Sequence, residues 1–234
     1  MQMHNCDRRL SHAQKVICSF IVAAAPAALA DPVVLTFEGL LDLEPVDQFY
    51  LGAGGLGGFG SGPGPSFGIG FTDSMALVAY DAGGNGNFAN NPSGFTVAFF
   101  LDGGGAVMNV PSGFETGFSL FYAAAFEGSV SLYDDLNAGG NLLATLDLPA
   151  TPLGTFPEPT YYTWVPVGIA FDGVVRSVDF TGAANFIGFD DITLGSVVPG
   201  VVPEHTGLSC LAGAGLYLLG LHWFACARNR KSVA

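Results

Sequence analysis

Between Asp31 and Gly200 this chain contains no cysteine, no histidine and no lysine, and its single basic side chain there is Arg176. Without cysteine the region has no disulfide framework, and without cysteine or histidine it has no ordinary zinc site. A Ser-His-Asp triad, a Cys-His pair and a Schiff-base lysine are excluded with them. What remains is carboxylate chemistry and the oxygen ligation of a hard cation such as calcium. Helical periodicity of useful length is missing from the region as well.

Against that one cation stand 18 Asp and Glu residues, a net charge of −17 for positions 31 to 200. A polyanion cannot release counterions from phosphates, so nucleic acid is excluded as a partner. An anionic membrane or an acidic polysaccharide would be repelled too, unless divalent cations bridged the two surfaces. The simplest use of such charge is solubility.

Both ends of the chain have the opposite character. Arg8, Arg9 and Lys15 precede an apolar run from Val16 to Ala25 that Pro26 ends, and Ala28-Leu29-Ala30 has the small-x-small form that signal peptidase cleaves. The run is about half of a membrane span, which favours a removed signal over an N-terminal anchor. At the other end Val202-Pro203-Glu204 leads into 21 uncharged residues from Gly207 to Ala227, closed by Arg228, Arg230 and Lys231. A helix of that length reaches roughly 30 Å, the thickness of a bilayer core. The basic cluster would stay on the cytoplasmic side and leave everything before it outside. A permanent anchor and a buried core helix are the alternatives, and the cationic stop disfavours the second.

This order of parts resembles the PEP-CTERM sorting signal of Gram-negative bacteria that make extracellular polysaccharide. The resemblance implies recognition and cleavage by a membrane-embedded exosortase; where that family has Pro-Glu-Pro, this chain reads Pro203-Glu204-His205. The expected organisation is a signal peptide at 1–30, one domain at 31–200, and a sorting tail at 201–234 with a transmembrane helix at 207–227.

Within the central region, short segments rich in Val, Ile, Phe, Tyr and Thr alternate with Gly, Pro, Asn and Asp clusters. Val130 and Leu132 against Ser129 and Ser131 show the two-residue period of a half-buried strand. Asp102-Gly103-Gly104, Ala138-Gly139-Gly140 and Asp172-Gly173 are turn signals. About ten strands at this spacing predict an all-β, antiparallel, two-sheet sandwich of jelly-roll type. Its expected interior includes Phe37, Phe99, Phe118, Leu120, Val130, Leu132, Leu146, Phe180 and Phe189. The stretch from Gly52 to Gly70 is so rich in glycine that it predicts a long surface loop. A phosphate cradle there would need a strand-to-helix context and a Lys-Ser/Thr pair, and has neither.

The domain also resembles a set of PEP-CTERM exported proteins of unknown activity. The residues that carry this are Thr36 to Leu40, Asp47 to Tyr50, Phe67 to Phe71, Gly117 to Tyr122 and Ile187 to Gly195. The resemblance implies a β-sandwich cousin of carbohydrate-binding modules with no catalytic residues to transfer. In such modules a calcium often ties the first strand to the last, which makes Glu38 with Asp190 or Asp191 the candidate metal ligands; strand-end surface acids are the plainer alternative. Asp81 to Asn87 is a second oxygen-rich loop, read as a hairpin turn. Tyr161, Tyr162 and Trp164 are candidate glycan-stacking residues, against the alternative that they are core. Hydrolysis would need two opposed carboxylates, for which Asp134-Asp135 or Glu158 with Asp172 are the available acids. The expectation is an exported protein of the cell surface or extracellular matrix with a non-catalytic structural or binding role. Its partners are signal peptidase and exosortase during export, then extracellular polysaccharide. The alternatives are a calcium-dependent carbohydrate-binding module and a carboxylate-dependent glycan hydrolase.

Overall fold

The computed structural model describes residues 31–155 and 159–200. The expected signal peptide, sorting motif, membrane stop and transmembrane helix 207–227 lie outside the described residues. Among the described residues no helix is long and apolar enough to cross a membrane. The chain forms β1 (Val33–Leu35), β2 (Gly70–Thr72), β3 (Met75–Val78), β4 (Thr96–Phe99), β5 (Gly105–Phe114), β6 (Gly117–Ala124), β7 (Gly128–Tyr133), β8 (Leu142–Leu148), β9 (Val165–Ala170), β10 (Val175–Thr181) and β11 (Ile187–Leu194). One sheet runs β3-β4-β11-β6-β9 with β1 also on β11, the other β2-β5-β10-β7-β8. Every strand pairing is antiparallel. From β4 onward the pairs nest as β4 with β11, β5 with β10, β6 with β9 and β7 with β8, like a ribbon folded once and wrapped over itself.

The alternation seen in the sequence sorts side chains between core and solvent. Met108 and Val110 from β5, Val130 and Leu132 from β7, and Val178 and Phe180 from β10 face Leu35, Phe118, Leu120 and Phe189 of the other sheet. Phe37 is in this core and Leu146 packs half-buried against it. Phe99 departs from the expectation. It is buried on the opposite face of the first sheet, in a separate cluster with Leu77, Phe88, Val97, Ala123 and Tyr161.

Strand β11 is buried along all eight residues. Ile187 and Phe189 enter the inter-sheet core, and so do Ile192 and Leu194, although strict alternation would turn the last two outward. The parity changes at a bulge. The register against β6 shifts between Asp190 and Thr193, and Asp191 sits at φ 47°. One extra residue here returns Ile192 and Leu194 to the core and leaves Asp190 and Asp191 at the kink.

The glycine-rich stretch contains no strand before Gly70, as its composition demands. It is nonetheless held, because Glu44 lies fully buried beneath it. Glu44 Oε1 accepts the N–H groups of Phe59 and Ser61 at 2.9 and 3.0 Å, and Oε2 accepts that of Leu41 at 2.7 Å. A Cβ at Gly57 would stand 2.6 Å from Oε1, so only glycine lets the backbone close over the carboxylate. Burial would raise the pKa of this carboxyl, but the bonds from Ser61, Leu41 and Phe59 outweigh it and hold the pKa below its ordinary value. Glu44→Ala strands these donors and is expected to cost about 2–4 kcal/mol in chemical denaturation, since each unsatisfied group costs about 1–3 kcal/mol and water relieves part of it.

Candidate functional site

The outer face of the first sheet carries a second buried hydrophobic cluster, apart from the inter-sheet core and rich in aromatic rings. Val97 and Phe99 of β4, Leu77 of β3 and Ala123 of β6 point outward there. Left bare, they would expose an apolar patch on the sandwich. Two connections cover them: the segment from Tyr80 to Gly94, and the one that leads into β9.

These connections are fastened to each other. Phe88 and Tyr161 form an isolated parallel bridge and their rings stack with centroids 4.4 Å apart. Tyr161 N–H donates to the Asn87 carbonyl at 2.9 Å, Ala89 N–H to the Tyr161 carbonyl at 3.1 Å, and Trp164 Nε1–H to the Ala89 carbonyl at 3.0 Å. Asn90 Nδ2 donates to the Tyr162 carbonyl at 3.3 Å. A Cβ at Gly188 would clash with the Phe88 ring, so a glycine in β11 is what lets that ring lie on the sheet.

Where the two connections part, they leave a cleft of about 460 Å³ lined by Asn90, Asn91, Pro92, Phe121, Tyr162, Thr163 and Trp164. It is a shallow depression, largely open to solvent. Tyr162 is 41% exposed, while Tyr161 is 4% exposed and belongs to the cluster below. Of the three rings proposed from sequence, two line the cleft and one supports it. Phe121, on the outer face of β6, and the Asn90–Pro92 wall were not legible as site residues, because they come from strands and loops remote in sequence. The side-chain Oδ1 and Nδ2 of Asn91 are both buried and without a hydrogen-bond partner. Such a pair of groups costs roughly 1–3 kcal/mol each, a cost that calls for a reason.

The Asn90–Pro92 wall is fixed from behind by carboxylates. Asp81 Oδ2 accepts Asn90 N–H at 3.2 Å, and Asp190 Oδ2 accepts Ser93 N–H at 3.1 Å with Ser93 Oγ also donating to Asp190. Two residues on, Glu38 Oε1 accepts the N–H groups of Phe95 and Thr96, each at 2.7 Å. The first and last strands pair directly, and Glu38 and Asp190, the acids that the sequence suggested for calcium, both bond the loop Ser93–Thr96. Among the described residues no group of three or more His, Cys, Asp or Glu is arranged to hold a metal ion. In the loop from Asp81 to Asn87, Asp81 Oδ2 accepts the Asn90 N–H and Asn85 donates through N–H and Nδ2 to Asp42.

The acids considered for hydrolysis are elsewhere. Asp134 caps the β7–β8 turn by accepting Asn141 N–H at 2.6 Å and Asn141 Nδ2–H at 2.8 Å, and Asp135 accepts Leu136 N–H at 2.8 Å. Glu158 lies outside the described residues, and Asp172 is exposed in the turn before β10. No Asp or Glu lines the cleft among the described residues. A second concavity of about 390 Å³ has apolar walls from Val33, Phe67, Val110, Phe114 and Leu194, and is lined also by the acids Asp31 and Glu115 and the hydroxyls of Ser112 and Thr116.

No family model matches the chain, and no curated protein is similar to it in sequence. Among solved structures it is similar to the K2 cleaved adhesin domain of Lys-gingipain, with a TM-score of 0.43 and 13% identity over 70% of this chain and 97% of that one. It is similar to a glycoside hydrolase family 43 arabinoxylan arabinofuranohydrolase from Bacillus subtilis, with a TM-score of 0.34 and 22% identity over 49% of this chain and 23% of that one. It is similar also to the carbohydrate-binding module CBM6cm-2 of Cellvibrio mixtus lichenase 5A, with a TM-score of 0.32 and 14% identity over 56% of this chain and 89% of that one. The chain thus spans less than a quarter of the arabinofuranohydrolase that it matches.

Burial first, and then the neighbouring Asp191, push the Asp190 carboxyl up to about 8, while bonds from Ser93 and Asp191 oppose the rise. Burial raises Asp191 too. The folded protein thus keeps a proton that the unfolded chain releases near 3.8, so stability falls as pH rises between about 4 and about 8 and levels above it. A melting temperature that declines across this window, and a flatter profile in Asp190→Asn, are the expected results. Repeating the scan with calcium and with chelator at fixed ionic strength examines the metal expectation. A bound cation would replace the proton and abolish the decline, whereas without one the two profiles coincide.

Proposed function

We propose that this chain is an exported, non-catalytic glycan-binding protein of the bacterial cell surface or exopolysaccharide matrix. The observation that carries the reading is the outer-face cleft, which the partly exposed rings of Tyr162 and Trp164 line together with Asn90, Asn91 and Thr163. Flat rings stack on the C–H faces of sugars and amides bond their hydroxyls, which is the division of labour such a site needs. The nested strand pairing supports a jelly roll as the framework. A hydrolase would place two opposed carboxylates at the cleft, and the described residues lining it supply none.

Tyr162 belongs to neither buried cluster, so Tyr162→Ala is expected to weaken glycan binding about tenfold with little change in melting temperature; a ring–sugar stack is worth on the order of 1 kcal/mol or more. Affinity electrophoresis through polysaccharide gels and a thermal melt read the two effects. Unchanged migration of the variant relative to the parent would remove Tyr162 from the site.

The delivery of this domain is proposed from the ends of the chain. Export by a signal cleaved after Ala30 and sorting by an exosortase at Val202-Pro203-Glu204 account for the charge and hydropathy pattern of both ends. Mass spectrometry of protein from its native host is expected to find molecules that lack the residues after the sorting motif. Peptides spanning Cys210 to Ala234 on most molecules would instead make the tail a permanent anchor.

A further inference from the structure

Strand β5 does not run evenly along β10. The pairings of Ser177 with Asn109 and of Val175 with Phe114 enclose one residue on β10, Arg176, and four on β5, 110–113, so β5 carries three residues more than its partner there. The surplus bulges, and Arg176 Nη1–H holds it from the solvent side by donating to the Pro111 carbonyl at 2.6 Å. The β2–β5 ladder stops at the same level, at Gly70 against Asn109. Just before it the chain is bonded elsewhere, with the Tyr50 carbonyl accepting the N–H groups of Phe67 and Ile69 at 3.0 and 3.2 Å. The two segments therefore part, and the concavity of about 390 Å³ opens between them and the start of β1 and end of β11.

Its chemistry changes from floor to mouth. Ile69, Val110 and Leu194 are core residues at most 4% exposed, while Val33, Phe67 and Phe114 are half-buried and keep apolar surface for an occupant. Asp31 and Glu115 are exposed at the mouth, and among the described residues no cation lines it. Thr116 Oγ1–H donates to the Gly195 carbonyl at 3.0 Å, which fixes the β5–β6 turn and Glu115 with it. The φ of 76° at Thr116 is one that a β-branched residue adopts only where its surroundings enforce it. A hydrocarbon floor with a few placed polar groups is the build of a small-molecule site.

We infer that this concavity binds a small amphiphile, its apolar body against Ile69, Val110 and Leu194 and its cationic, ammonium-type head at Glu115 beside Asp31. The body is drawn in by the apolar surface it covers. The head is selected by sign: an anionic one would meet like charges at the mouth, and a hydroxyl would forgo the attraction. Cleavage after Ala30 would set the new α-ammonium of Asp31 at the same mouth, offsetting one carboxylate and leaving the other. The concavity shares no lining residue with the outer-face cleft, so the inference stands apart from the glycan reading.

The test is photolabelling of the full chain with three diazirine probes that share a decyl body and differ in their head: trimethylammonium, hydroxyl or carboxylate. Labelled sites are mapped by peptide mass spectrometry, which separates this concavity from the apolar ends of the chain. The ammonium probe is expected to label segments 67–69 and 110–116 at about one tenth of the concentration that the alcohol needs, and the carboxylate probe to label neither. Excess decyltrimethylammonium is expected to suppress the label, and tetramethylammonium at the same concentration to leave it, because the body supplies most of the binding. Glu115→Gln is expected to narrow the preference for the ammonium head about threefold, the scale of one exposed charge pair. Asp147→Asn makes the same charge change on the exposed side of the edge strand β8 and is expected to leave the preference as it is. Label confined to other segments, or a carboxylate probe that labels as well as the ammonium, would overturn the inference. Suppression by tetramethylammonium, or equal effects of the two substitutions, would overturn it as well, by reducing the site to general attraction of cations to an acidic surface.

Discussion

The bulge at Asp190 and Asp191 is the constraint on which the rest of the molecule depends. Strand β11 is hydrogen-bonded to β6 on one side and to β4 and then β1 on the other, and it is packed on both faces. Before the bulge it gives Ile187 and Phe189 to the inter-sheet core and Gly188 to the Phe88 ring outside; after it, Ile192 and Leu194 return to the core. Without the extra residue either the outer cluster or the β1 end of the core would lose its apolar side chains to the wrong face. The same kink sets Asp190 against Ser93, and so positions the wall of the cleft.

The charge excess has a second use beyond solubility. Glu38, Asp42, Glu44, Asp81, Asp134 and Asp135 each accept backbone N–H groups of loops or turns. A chain with long irregular connections and almost no basic side chains cannot fasten them by ion pairs. Carboxylates bonded to N–H groups make charge-assisted contacts of about twice the strength of neutral ones and need no cation. The acidic balance is in this sense structural, and the cleft inherits it as a negative background behind uncharged walls.

The cleft itself follows from covering an exposed sheet face. Burial of Phe88 and Tyr161 over Val97 and Phe99 holds the two connections down, and their backbone bonds lock the register between Asn87–Asn90 and Tyr161–Trp164. Because Tyr161 is committed to that cluster, its chain neighbour Tyr162 faces the other way, toward solvent. The platform is a by-product of ordinary core packing, with the unpartnered Asn91 amide as the one element that packing does not explain.

Strand content, strand positions and the two-layer class were legible in the sequence, since alternation at Val130–Leu132 or Phe118–Leu120 and the glycine-marked turns are local signals that survive any tertiary context. The absence of Lys, His and Cys between Asp31 and Gly200 likewise bounded the chemistry before any fold was known. What tertiary structure alone decided was the partnering of residues far apart in the chain. No local pattern could show that a buried Glu44 would order the glycine-rich stretch, or that Phe99 would turn outward to meet Phe88. Nor could it show that Tyr161 and Tyr162, adjacent in sequence, would divide between core and cleft. Faces, bulges and hydrogen-bond partners are set by which strands meet across the sheet, and that is a property of the assembled sandwich rather than of any segment within it.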